Sequence, residues 1–218
     1  TDILITHSYF LRYDRKEYRT MAPYPPLGTL YAAARLIEQG HSVKLFDSML
    51  ANSEEDIIPL LDLHKPSFFV IYDDDFNYLT KMCLSKMREA AFVMSRFAKE
   101  RGCTVIVHGS DPADNVENYI QHGADYVVVG EGDLTVCELL RQLKETSPPD
   151  LNKVQGIAYR MNGVIQRNPS RPVLQDLDNL SFPERGLADI QRYKTLWQKH
   201  RGYFSMNIVT TRGCPFHC

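Results

Sequence analysis

The feature that most constrains this chain is an alternation repeated through its first two thirds: a short β-branched, apolar run, a turn, then a stretch with helical spacing. The runs are Asp2–Thr6, Ser42–Phe46, Phe68–Tyr72, Thr104–Val107 and Tyr126–Val129. Leu27–Gln39 sets Leu27, Leu30, Tyr31, Ala34 and Ile37 at helical intervals, and Thr80–Arg101 does the same with Met87, Ala90, Met94 and Phe97. Further helices are predicted to open at a Ser53 cap, at Asp111 with Pro112 in its first turn, and after Gly130-Glu131-Gly132-Asp133. Strands of continuous hydrophobicity separated by helices form a parallel sheet covered on both faces, so the fold class is α/β with five parallel strands.

Ser147-Pro148-Pro149-Asp150 marks the end of that unit. Beyond it, Asn162-Gly163 between Gly156–Arg160 and Val164–Arg167 predicts a two-residue β-hairpin, read as an appendage. Pro169–Gly202 has scattered prolines and little periodicity, which reads as a surface linker, and Met206–Thr211 is strand-like. The expected division is residues 1–147 for the α/β domain, 148–203 for hairpin and linker, and 204–218 for the start of a second domain, cut short.

With 44% hydrophobic and 24% charged residues, the 218-residue chain can bury a core without disulfides. Its 25 basic and 27 acidic side chains leave a net charge of -2, so no polycationic surface argues for a nucleic-acid backbone, although a local basic patch stays open. No apolar run approaches the roughly 20 residues of a membrane span, and Asp2-Ile3-Leu4-Ile5 does not open like a secretory signal, so a cytoplasmic protein is expected. Cys83, Cys103 and Cys137 lie in apolar surroundings and read as inert core thiols.

Ligands of open α/β sheets bind beyond the carboxyl ends of the strands. The loops there hold His7, Ser8 and Tyr9, then Asp73-Asp74-Asp75-Phe76-Asn77, then His108, Gly109, Ser110 and Asp111, and finally Gly130, Glu131 and Gly132. No Gly-x-Gly-x-x-Gly follows the first strand and no Gly-Lys-Ser/Thr loop occurs, so dinucleotide and nucleoside triphosphate fingerprints are absent. Neither histidine has zinc-ligand spacing, and the acidic run suits solvation or capping ahead of substrate contact. The most informative stretch is Arg212-Gly213-Cys214-Pro215-Phe216-His217-Cys218. Thiolates are the ligands iron-sulfur clusters select, but this spacing departs from Cys-x-x-Cys, and by spacing alone a metal site and a structural loop stay equally open.

Those cysteines match the first two of the Cys-x-x-x-Cys-x-x-Cys loop of the radical S-adenosylmethionine (SAM) superfamily, whose third would fall three positions beyond Cys218. More narrowly, the chain resembles the N-terminal part of cobalamin-binding radical SAM enzymes, the group of anaerobic magnesium-protoporphyrin ester cyclase and of several methylases. The matching stretches include Pro25-Pro26-Leu27-Gly28, Gly40-His41-Ser42-Val43, Gly123–Asp133, Gly156–Arg160, Leu177–Pro183 and Arg212–Cys218.

The resemblance implies a flavodoxin-like cobalamin domain, then the hairpin and linker, then the first strand of a partial (β/α) barrel. It places the corrin against Ser8, Tyr9, Asp75, Phe76, Asn77, Tyr78, His108, Gly109, Ser110 and Asp111, with Gly130, Glu131 and Gly132 by the nucleotide tail or ring edge. The Asp-x-His-x-x-Gly loop of methionine synthase-type carriers is absent, implying cobalt without a protein histidine, with His7 and His108 as the residues to check. Cys214 and Cys218 would ligate a 4Fe-4S cluster that binds S-adenosylmethionine and, reduced by a donor such as flavodoxin or ferredoxin, yields a deoxyadenosyl radical. Hydrogen abstraction from a small-molecule substrate, then methyl transfer from methylcobalamin to an unactivated carbon, is the expected outcome. The alternatives are oxidative cyclisation, a radical SAM enzyme whose α/β domain no longer binds cobalamin, and a stand-alone corrin-binding module; the resemblance singles out no catalytic residue.

Overall fold

The computed structural model describes residues 1–73 and 84–211. Five parallel strands, β1 (Ile3–Thr6), β2 (Val43–Phe46), β3 (Phe68–Tyr72), β4 (Thr104–His108) and β5 (Tyr126–Val128), lie in the order β2-β1-β3-β4-β5. This is the flavodoxin-like order, with its switch point between β1 and β3.

Strand alternation decides which side chain meets which layer. Ile3, Ile5, Val70, Ile106 and Val128 point to one face, where they bury against Ala32, Ala33 and Leu36 of α2 (Leu27–Glu38) and Val136, Leu139 and Leu140 of α7 (Gly132–Glu145). Leu4, Phe69, Ile71, Val105 and Val107 point to the other, against α3 (Ile58–His64), α4 (Leu84–Lys99) and α6 (Val116–Gln121). Each of these strand residues is fully buried. Burying each such side chain stabilises the fold by about 1.5–3 kcal/mol.

Several elements depart from expectation. The hairpin of β6 (Ile157–Met161) and β7 (Val164–Arg167) is no appendage: β6 pairs antiparallel with β5 and extends the sheet to seven strands. It does so because Ile157, Ala158 and Tyr159 are buried, which gives the pairing an apolar reward. The loop after β1 contains α1 (Arg15–Thr20), capped by the Asp14 carboxylate, which accepts from the Lys16 and Glu17 amides at 3.0 Å each. Ser53 makes no side-chain cap; a 3-10 turn precedes α3, and Pro59 sits in that helix's first turn, where its missing N–H costs nothing. Asp111 does not cap α5 (Ser110–Asp114), whose cap position is Gly109, because its carboxylate is taken by Arg88.

The segment read as linker holds α8 (Ile190–Arg201), which buries Tyr193 and Trp197. Trp197 Nε1 donates to Pro23 O at 2.7 Å, and Arg192 donates to Leu50 O at 2.7 Å. Met206–Thr211 is unpaired, since a strand needs a partner backbone and none of the described residues provides one. Asn207 nevertheless holds it to the loop before α2 by donating to Pro25 O at 3.0 Å.

Because α8 is a packed element, Trp197→Ala is expected to cost about 3–5 kcal/mol of stability, read by urea unfolding. A loss under about 0.5 kcal/mol is what a surface linker would give, and would contradict the packing described.

Candidate functional site

Parallel pairing brings the carboxyl ends of β1, β3, β4 and β5 to one edge, and the polar residues there tie the ends together. Asp73, next after β3, accepts from the Ser8 amide at 2.8 Å and the Ser8 hydroxyl at 2.7 Å through the same Oδ1. The Asp73 amide donates to His108 O at 3.0 Å. Gly109 has φ +149, and a Cβ there would sit 2.9 Å from the Asp73 Cβ, so only glycine lets the β4 loop close on this carboxylate. The first residue of the acidic run is therefore a buried staple between loops, neither solvated nor capping a described helix.

A second cluster lies beneath the start of α7. The Tyr72 and His108 rings stack with centroids 4.1 Å apart, and the Tyr72 hydroxyl donates to Asp133 Oδ1 at 2.5 Å. His108 Nε2 lies 3.0 Å from Gly130 O. A carbonyl accepts, so Nε2 carries the proton and Nδ1 is left as an acceptor; that atom is buried and has no partner among the described residues. Thr29 holds the other side by donating to Tyr72 O at 2.7 Å.

A third cluster involves His7, Asp47, Ser48 and Tyr193. His7 Nε2 is 3.3 Å from Asp47 Oδ1, and Tyr193 on α8 donates to Asp47 Oδ2 at 2.8 Å. The residue types are those of a nucleophilic triad, but Ser48 is fully buried and donates to His7 O at 2.6 Å. The arrangement is a latch for α8, with no path for a substrate carbonyl to the hydroxyl.

Asp111 is held by three neighbours: Arg88 Nε at 2.8 Å with a second guanidinium nitrogen on the other oxygen, Tyr119 Oη at 2.8 Å, and Asn115 Nδ2 at 3.1 Å. Burial, reinforced by the Asp73 and Asp111 charges, pushes the Tyr119 phenol above its usual range, so it stays a donor.

The expected contact residues thus occupy different levels. Ser8, Tyr9, His108, Gly109, Asp111 and Gly132 are buried, Glu131 is half-buried, and Ser110 and Gly130 reach the surface. Tyr9 packs with Leu11, Met49 and Tyr193, its hydroxyl 3.2 Å from Asp14. Beside Gly130 the space is open, with nothing within 4 Å of a Cβ position. Asp75, Phe76, Asn77, Tyr78, Cys214 and Cys218 lie outside the described residues, as does Cys83. Burial raises the thiol of Cys103, and pushes that of Cys137 up to about 12, in keeping with inert side chains.

Sequence reasoning passed over Tyr72, Asp133, Asp47 and Arg88. Asp133 directly follows the glycine loop and Tyr72 ends a strand, so position alone could have flagged both; Arg88 meets Asp111 across 23 residues, with no local signal. Among the described residues no His, Cys, Asp or Glu group could hold a metal ion, and no helix is long and apolar enough to cross a membrane.

No family model matches the chain. By sequence it is 28% identical over 199 residues to an uncharacterized methyltransferase of Pyrococcus horikoshii. It is also 28% identical over 200 residues to the anaerobic magnesium-protoporphyrin IX monomethyl ester cyclase of a Synechocystis strain. Each match takes in 89% of this chain but only 39% and 37% of those proteins, so the chain spans less than two-fifths of these curated relatives. Its backbone matches OxsB, a cobalamin-dependent S-adenosylmethionine radical enzyme with aqua-cobalamin bound, with a TM-score of 0.66 over 88% of this chain and 25% of OxsB, at 18% identity. The chain shares its fold with cobalamin-dependent radical SAM enzymes. TsrM of Kitasatospora setae, a radical SAM methyltransferase with cobalamin and a 4Fe-4S cluster bound, matches with a TM-score of 0.57 over 83% of this chain and 30% of TsrM, at 14% identity.

The start of α7 has no room for a side chain at Gly132. A Cβ there would lie 2.4 Å from Tyr72 Oη and 2.6 Å from His108 Nε2. Gly132→Ala is expected to cost about 1–3 kcal/mol in denaturant unfolding, as overpacking does. A variant as stable as the parent would show that the Tyr72, His108 and Asp133 cluster is not closed as described.

Proposed function

We propose that the protein is the cobalamin-binding part of a radical SAM enzyme that methylates an unactivated carbon of a small molecule. The observation that carries this reading is the strand-end platform on a fold shared with OxsB, whose structure holds aqua-cobalamin. When bound, cobalamin supplies a transferable methyl group, while a cluster on Cys214, Cys218 and a third ligand supplies, with S-adenosylmethionine, the radical that removes a hydrogen from the substrate.

The residues present fit a flat cofactor held by its rim. Gly130 offers open space beside its backbone, and Ser110 is on the surface. They do not fit a cofactor held through an axial histidine. His7 is 1% exposed with its ring against Asp47 and Ser48, and His108 is 6% exposed and stacked on Tyr72, so neither presents a ring nitrogen beyond the strand ends. Ser8, Asp73 and Gly109 keep the platform rigid, and Tyr72 and Asp133 fix the start of α7.

The cyclase relative supports a second reading, in which the substrate radical is oxidised and captured instead of methylated; it matches this chain as well as the methyltransferase does. In both, a flavodoxin- or ferredoxin-type donor reduces the cluster.

Anoxic titration with hydroxocobalamin, gel filtration and reduction to cob(II)alamin test the reading. Stoichiometric co-elution is expected, with an electron paramagnetic resonance spectrum lacking the nitrogen triplet of an axial imidazole. A nitrogen triplet that persists when cobinamide, which lacks the nucleotide base, replaces cobalamin would contradict the histidine-free site, and folded protein that retains no corrin would overturn cobalamin binding in favour of a repurposed domain.

A further inference from the structure

The outer groove between α2 and α7 gathers charge that the strand-end site does not use. On α7, Leu134, Cys137, Glu138 and Arg141 recur at the three- and four-residue spacing that puts them on one face. Arg35 comes from α2, and Arg171 from the segment after β7. Together they line a cavity of about 240 Å3. Three guanidiniums from three separate parts of the chain converge there, in a protein whose net charge is -2.

The pairing in the groove is incomplete. Arg171 is committed, donating to Thr135 Oγ1 at 2.8 Å and to the Glu138 carboxylate. Arg35 donates to Glu38 at 2.9 Å, and its Nε is buried without a partner among the described residues. Arg141 is 3.9 Å from Glu138 and makes no hydrogen bond among the described residues. Even with Glu38 counted beside Glu138, one positive charge remains, and like charges around an apolar floor of Leu134 and Cys137 repel until an anion joins them. Guanidinium forks are built to grip tetrahedral and planar oxyanions. An overall negative chain disfavours a polyanion and leaves a single small group as the ligand.

We propose that this groove binds a phosphate group, with the exposed Arg141 guanidinium donating to its oxygens and Arg35 and Arg171, held by Glu38 and Glu138, forming the other two walls. Inorganic phosphate and the phosphate of a small phosphomonoester share this chemistry.

Isothermal titration of the chain with sodium phosphate, against sodium chloride at matched ionic strength, tests the proposal. Saturable binding by phosphate alone is expected, with a rise in Tm that chloride does not give. Arg141→Gln, on a side chain 57% exposed, should weaken binding about tenfold while leaving the Tm in chloride unchanged. Arg35→Gln removes the charge on the α2 wall and should weaken binding as well, whereas Arg160→Gln on β6, outside the groove, should not. A parallel titration with O-phosphoserine separates the sources: tighter binding marks an organic phosphate, equal binding the free ion. Equal effects of phosphate and chloride, or phosphate affinity unchanged in both groove variants, would overturn the site.

Discussion

The strand-end surface depends on the Asp73 carboxylate. Through one oxygen it takes both donors of Ser8, its own amide bonds the end of β4, and Gly109 closes over it without a side chain. Three loops from three neighbouring strands are thereby fixed before any ligand arrives. A donor removed from such a buried pair costs about 1–3 kcal/mol, so the geometry is strongly held. Loops already ordered lose little further freedom when a large cofactor binds, which is where preorganisation adds affinity.

The same economy of fixed parts extends outward. The Tyr72 hydroxyl reaches Asp133 and His108 reaches Gly130, so the second cluster anchors the start of α7 to β3 and β4. α8 is held from below by Tyr193 on Asp47 and Trp197 on Pro23. Met206–Thr211, which leads into the cysteine pair, hangs from this framework through Asn207. α7 serves both ends of the account: its first residue shapes the strand-end site, and its later turns carry Glu138 and Arg141 of the arginine groove.

How much of this was legible in the sequence follows from the range of each interaction. The five parallel strands and the helices between them were readable because periodicity is local and burial on both faces makes each strand uniformly apolar. α8 was not, since Tyr193 and Trp197 are apolar only through partners near residues 9, 23 and 47, and the prolines before it suggested a linker. The hairpin turn was visible in Asn162-Gly163, but its pairing with β5 is a long-range choice. At the site, the loops were located by topology, while the roles of Asp73, Tyr72 and Arg88 needed contacts across 65, 61 and 23 residues.

A ligand therefore meets a platform already locked at the ends of β1, β3, β4 and β5. Hydrogen exchange read by mass spectrometry, with and without hydroxocobalamin under anoxic conditions, tests it most directly. Slow exchange is expected at the Ser8 and Asp73 amides before addition, with added protection concentrated in peptides covering residues 108–111 and 130–133. Fast exchange at Ser8 and Asp73 in the free protein, or protection centred away from the strand ends, would contradict it.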